Sequence, residues 1–155
     1  DDVEGLANTI ATCPKLQLLD LSDNELCKLS VDAAPRWAKV CNSLSSNTSL
    51  VDLNLNHNKL GSHGMRVASR ALLGCTGLKK LGLSYNEPGI EPAMNDLFRS
   101  HPSLESVEMI EALDRHLPSR AKDDIGKALS LNKARKLGFL QCDTFKLTED
   151  TTTIM

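Results

Sequence analysis

Five cysteines and four histidines are the residues of this chain most able to do chemistry, and their spacing decides whether they do. The cysteines are Cys13, Cys27, Cys41, Cys75 and Cys142, an odd number with no CxxC pair. That is neither a zinc site nor a disulfide framework. Free cysteines of this kind pack as small hydrophobes, and a reduced set fits a cytoplasmic address. The histidines are His57, His63, His101 and His116. No HExxH, GxSxG, phosphate-loop or GxGxxG string accompanies them. His57 and His63 are separated by a turn, which is poor spacing for ligands of one metal ion. The expectation is a protein with no enzymatic activity, no metal and no cofactor.

The elements that carry these residues are unusually regular. Leucine occurs 26 times in 155 residues, while aromatic residues make up only 3%. The leucines are periodic. Leu16, Leu19, Leu21, Asn24 and Leu26 form the string LxxLxLxxNxL. It returns as Leu50, Leu53, Leu55, Asn58 and Leu60, and again as Leu78, Leu81, Leu83 and Asn86. Two weaker copies follow, Leu104–Val107–Met109 with Ala112 at the Asn position, and Ala134–Leu137–Phe139 with Cys142 there. Such self-similarity signals a repeat architecture. The alternation LxL puts alternate side chains on one face of a short strand. Between strands, apolar residues recur at helical spacing: Val3, Leu6 and Ile10; Trp37, Val40 and Leu44; Met65, Ala68 and Leu72; Met94, Leu97 and Phe98; Ala121, Ile125 and Leu129.

These strings resemble the leucine-rich repeat family. The segment LGSHGMRVASRALLGCTGL, from Leu60 to Leu78, is similar to the ribonuclease-inhibitor-like subclass, the type also found in NOD-like receptors. The resemblance implies an α/β leucine-rich-repeat solenoid, a horseshoe with a parallel concave sheet and convex helices. It implies one domain of about five units over residues 1–155. Asn24, Asn58 and Asn86 then read as structural, bonding backbone groups of the turn after each strand. Cys13, Asn47, Cys75 and His101 each stand three residues before a strand's first apolar residue and read as one structural position. The chain begins inside a helical pattern and shows no polar cap at either end, so a piece of a longer protein is expected.

Family resemblance places function on the strand positions between the core leucines. These are Leu18, Asp20 and Ser22; Asp52, Asn54 and Asn56; Lys80, Gly82 and Ser84; Ser106, Glu108 and Ile110; Lys136, Gly138 and Leu140. The following turn adds Asp23, His57, Tyr85 and Glu111. Gly82 leaves a shallow gap in this array beside Tyr85, a residue type common at interfaces. The partner-binding set is therefore Asp20, Ser22, Asp23, Asp52, Asn54, Asn56, His57, Lys80, Ser84, Tyr85, Glu108 and Glu111.

A net charge of −2 argues against a nucleic-acid partner, and no apolar run approaches a membrane span. Residues 1–30 are acidic, whereas Arg115, Arg120, Lys122, Lys127, Lys133, Arg135 and Lys136 form a basic stretch. The extra residues of the first unit fall in Cys27–Pro35 and read as a loop, which costs little entropy. The leading function is a protein-interaction scaffold. The alternative implied by the repeat subclass is a GTPase-activating protein for a small Ran-like GTPase.

Overall fold

The structure is a computed structural model that describes residues 2–27, 33–86, 92–109, 127 and 139–141. Helices and strands alternate along the chain: α1 (Asp2–Thr12), β1 (Leu18–Asp20), α2 (Ala33–Ser46), β2 (Asp52–Asn54), α3 (Gly61–Leu72), β3 (Lys80–Gly82), α4 (Pro92–Ser100), β4 (Ser106–Glu108) and β5 (Phe139–Gln141). The strands form one parallel sheet in the order of the chain. Parallel neighbours need a crossover, and α2, α3 and α4 supply it between the first four strands.

Register follows the leucine strings. Leu19, Leu53, Leu81 and Val107 stand opposite one another across β1 to β4. A single core joins Leu53, Leu81 and Val107 of the strands, and Leu21, Leu55, Leu83 and Met109 just after them, to the helix residues Ile10, Trp37, Val40, Leu44, Met65, Leu72, Met94, Leu97 and Phe98. The apolar helix stripes over residues 3–98 thus face the sheet, as their spacing requires. Trp37 is fully buried, and its indole N–H donates to the Gly64 carbonyl at 3.0 Å.

Two kinds of polar ladder stitch the units. The first is the asparagine ladder. Asn58 Oδ1 accepts from the N–H groups of Asn24 and Leu26, while its Nδ2 donates to the Leu21, Leu55 and Asn56 carbonyls. Asn86 repeats this one unit on, accepting from Asn58 and Leu60 and donating to Leu55, Leu83 and Ser84. Asn58 and Asn86 are fully buried; Asn24 is exposed and bonds only Leu21 and Ser22 through its amide nitrogen.

The second ladder runs through Asn47, Cys75 and His101. Asn47 accepts from the N–H groups of Ser49 and Leu50 and donates to the Ile10 carbonyl. His101 does the same with a ring: Nδ1 accepts from Ser103 and Leu104, and Nε2 reaches the Cys75 carbonyl at 3.2 Å. Nδ1 is therefore the unprotonated nitrogen and Nε2 carries the hydrogen. The Cys75 thiol donates to the Asn47 carbonyl.

Two readings need correction. The fifth string is displaced by three residues: Leu140, not Leu137, pairs with Val107. Leu140 therefore takes the register position of Leu19. Of the expected outward set, Leu140 stands instead in register with the core column, Phe139 and Gln141 pair with Ser106 and Glu108, and Lys136 and Gly138 lie outside the described residues. In addition, the loop read as extending to Pro35 ends earlier, because α2 begins at Ala33. Proline is tolerated in a helix's first turn, where no intrahelical N–H bond is lost. The Ala121–Leu129 helical pattern lies outside the described residues, as do the basic stretch apart from Lys127, Pro118 and Cys142.

Candidate interaction face

The strands are only three residues long, yet they display ordered columns. Leu18, Asp52, Lys80 and Ser106 form one column in register, and Asp20, Asn54, Gly82 and Glu108 form the next. The ladder continues past the strands into the turns: Asp23 N–H bonds the Asn56 carbonyl, and His57 N–H bonds that of Ser84. Asp23, His57 and Tyr85 consequently stack as a third column.

These turn residues share an uncommon backbone. Asp23, His57 and Tyr85 have φ of 58°, 56° and 57°, and Glu25 and Lys59 follow at 48° and 51°. Left-handed geometry at non-glycine residues is costly. Buried Asn58 and Asn86 hold it beside His57 and Tyr85, each bonding backbone of its own unit and of the preceding one. The side chain of exposed Asn24 bonds only its own turn, at Leu21 and Ser22. Left-handed backbone brings the rings of His57 and Tyr85 together, with centroids 4.2 Å apart and planes inclined by 14°.

Asp20, Asp23, His57 and Lys80 are exposed, and Ser22, Asp52, Asn54, Asn56, Tyr85 and Glu108 are half-buried. Ser84 departs from the expected set. It is 1% exposed, so it is part of the frame and offers a partner no surface. Glu111 lies outside the described residues. Among the described residues, Leu18, at 65% exposure, is the large apolar side chain standing clear on this face.

Several face residues also brace the backbone. Asp20 Oδ1 accepts from the Ser22 hydroxyl at 2.7 Å and from the Ser22 N–H at 2.9 Å. The Ser22 hydroxyl above all, then its N–H and the Asn54 amide, hold the Asp20 carboxyl below its ordinary range. Asn54 Oδ1 accepts from the Asn56 N–H, and its Nδ2 donates to Asp20 Oδ2. Asn56 Oδ1 accepts from the Ser84 N–H at 2.7 Å. A depression opens between β2, β3 and β4, with Gly82 at its floor and Asp52, Asn54, Asn56, Lys80, Ser106 and Glu108 around it.

Burial makes the thiols of Cys27, Cys41 and Cys75 poor nucleophiles. Burial pushes Cys27 and Cys75 up to about 11 and Cys41 higher still, the nearby Cys27 adding to the last. A thiol in that range stays protonated near neutrality. His63 sits on α3 against Arg66, away from the His57 ring stack. Among the described residues, no cluster of His, Cys, Asp and Glu is placed to hold a metal ion, and no helix is long and apolar enough to cross a membrane.

No family model matches the sequence, and no curated protein does. Solved structures do match the fold. The C-terminal domain of tropomodulin from Caenorhabditis elegans superposes with a TM-score of 0.72 at 13% identity, covering 98% of this chain and 92% of that one. Actin-binding site 2 of leiomodin-1 superposes with a TM-score of 0.72 at 16% identity, covering 97% of this chain and 82% of that one. The class defined by the fold is an α/β domain of repeated helix–strand units on an ordered parallel sheet. Its particular likeness is to the tropomodulin and leiomodin domains.

Proposed function

We propose that the chain is a leucine-rich-repeat protein-interaction module, curved as a horseshoe of ribonuclease-inhibitor type, that recognises a protein partner on its strand face. It acts in the cytoplasm and performs no chemistry of its own. The observation that carries this reading is the division of labour within each repeat. Asn47, Asn58, Asn86 and His101 satisfy the buried backbone. Leu18, Asp52, Lys80 and the His57–Tyr85 pair stand outside the core. Surface side chains free of core duty, on rigid neighbouring elements, suit recognition.

The partner favoured by the leiomodin likeness is actin, since that neighbour is described as an actin-binding site. Co-sedimentation with filamentous actin and titration of fluorescent monomeric actin test it directly. Saturable binding that is lost in a folded Asp52→Ala/Lys80→Ala/Tyr85→Ala variant supports both the partner and the face. Binding that survives in that variant places the contact elsewhere on the molecule. The absence of actin binding removes actin and leaves the face to be tested by protein capture with the same variant. The GTPase-activating alternative draws no support from these neighbours.

A further inference from the structure

The depression on the strand face has a chemical bias that specifies what enters it. Gly82 occupies the place of one outward side chain, between Asn54 on one side and Glu108 on the other. A Cβ built there would lie 2.9 Å from Asn56 Oδ1 and 3.0 Å from Asn54 Oδ1, with Asn56 Nδ2 at 3.2 Å. The missing side chain thus lets the Asn54 and Asn56 carboxamides lean over Gly82, and the notch above it is rimmed mainly by oxygen.

The orientation of these oxygens is set by backbone donors. Asn54 Oδ1 is held by the Asn56 N–H and Asn56 Oδ1 by the Ser84 N–H. Neither amide can turn over without orphaning a backbone hydrogen. A carbonyl oxygen has two lone pairs, so each keeps one for a further donor. The carboxylate of Glu108 supplies charge on the third side. Its surroundings agree in sign: among the described residues of the face, Asp20, Asp23, Asp52 and Glu108 stand with one ammonium group, Lys80. Lys80 stands in the neighbouring column, beside Asp52 and Ser106.

We infer that the Gly82 notch is an arginine socket, which receives a guanidinium from a basic segment of the partner protein. This rests on the strand face being the recognition surface. Guanidinium is planar, carries five N–H donors and is weakly hydrated. It can give a bidentate pair to the Glu108 carboxylate while its other N–H groups meet Asn54 Oδ1 and Asn56 Oδ1. Strands about 4.8 Å apart frame a slot that suits a flat group better than a hydrated ammonium. A partner carboxylate would meet two amide oxygens and the like charge of Glu108.

Tetra-arginine, tetra-lysine and tetra-glutamate peptides, titrated into the full chain and followed by amide NMR shifts, test the socket. Tetra-arginine is expected to shift Gly82 and the side-chain amides of Asn54 and Asn56. Tetra-lysine should bind about ten-fold more weakly, and so should tetra-arginine with Glu108→Gln or Gly82→Ala, because a bidentate charged pair is lost. Glu108→Gln keeps its shape, so it serves if Gly82→Ala perturbs the fold. Lys80→Ala should tighten arginine binding by removing a like charge. Equal binding of lysine and arginine, or binding unmoved by both socket variants, overturns the socket. Shifts confined to His57 and Tyr85 also overturn it but leave the face standing. If no peptide moves any face resonance, the socket fails, and loss of a captured protein in the Asp52/Lys80/Tyr85 variant still decides the face.

Discussion

The imidazole of His57 lies flat against the phenol of Tyr85, centroid to centroid at 4.2 Å, although the two residues are one full repeat apart. Both sit in left-handed backbone, which swings the rings outward from adjacent turns. An aromatic pair contributes about 0.5–1.5 kcal/mol beyond the area it buries. Removing either ring should therefore cost about 1 kcal/mol, and removing the second should cost little more. A double-mutant cycle of His57→Ala and Tyr85→Ala in urea checks this. A coupling near zero would show that the rings are adjacent without supporting one another.

The asparagine ladder predicts a graded series. Asn58→Ala strips the partner from the N–H groups of Asn24 and Leu26 through one buried side chain, while the Leu21 and Leu55 carbonyls each keep one donor, Asn24 Nδ2 and Asn86 Nδ2. Leaving buried groups unsatisfied costs about 1–3 kcal/mol each time, so a loss of about 3 kcal/mol is expected. Asn24→Ala should cost under about 1 kcal/mol, because the carbonyls it bonds through an exposed side chain can turn to water. Chemical denaturation of the two variants gives the ratio. Equal losses would mean that the ladder does not tighten toward the interior.

The ladder was legible in the sequence because three copies of LxxLxLxxN leave little freedom in register. The helices over residues 3–98 were legible for the same reason: each has one apolar stripe, and the strand residues of the common core receive it. The fifth strand was not. Ala134–Leu137–Phe139 and Leu137–Leu140–Cys142 satisfy the same alternation, and only pairing with Val107 separates them. Nor did residue type reveal that Ser84 is covered while its column mates Ser22 and Asn56 are half-open. The left-handed turns gave no glycine signal, since Asp23, His57 and Tyr85 stand there. Asp and His are among the non-glycine types that enter this region most readily, and buried Asn58 and Asn86 beside His57 and Tyr85 bond the backbone of those turns.

His101 should make the fold sensitive to mild acid. Burial is the largest influence on it and moves its pKa below the ordinary value of 6.5, against the opposing hydrogen bonds to Cys75 and Leu72. The neutral ring is the native form, because Nδ1 must accept from Ser103 and Leu104. Its contribution is complete above about pH 6.5 and is lost as the pH falls through the lowered value, where the unfolded chain binds the extra proton. Thermal melts between pH 7.5 and 5 should show stability declining only in the acid half. His101→Asn offers the same acceptor that Asn47 uses in its own unit and cannot titrate, so it should fold and flatten that slope. A slope unchanged in this variant would assign the acid sensitivity to other groups.

Two glycines should respond in opposite directions to the same added methyl. At Gly77 a Cβ would lie 2.3 Å from the Thr48 carbonyl oxygen and 3.0 Å from that of Leu50. Both are backbone atoms of the preceding unit, in the segment that hydrogen-bonds back to Gln17 and Leu16. The strand spacing cannot widen there without breaking the ladder, so Gly77→Ala should cost more than about 2 kcal/mol, in the range of an overpacked core. Gly5 lies inside α1, and nothing stands within 4 Å of its added Cβ. Gly5→Ala should stabilise the protein by about 0.5–1 kcal/mol, because alanine loses less backbone entropy in a helix. Urea denaturation of both variants beside the parent measures the contrast. Tolerance of alanine at Gly77 would mean that the first two units can separate from the third, and the close contact at Thr48 would then not determine the packing of the repeats.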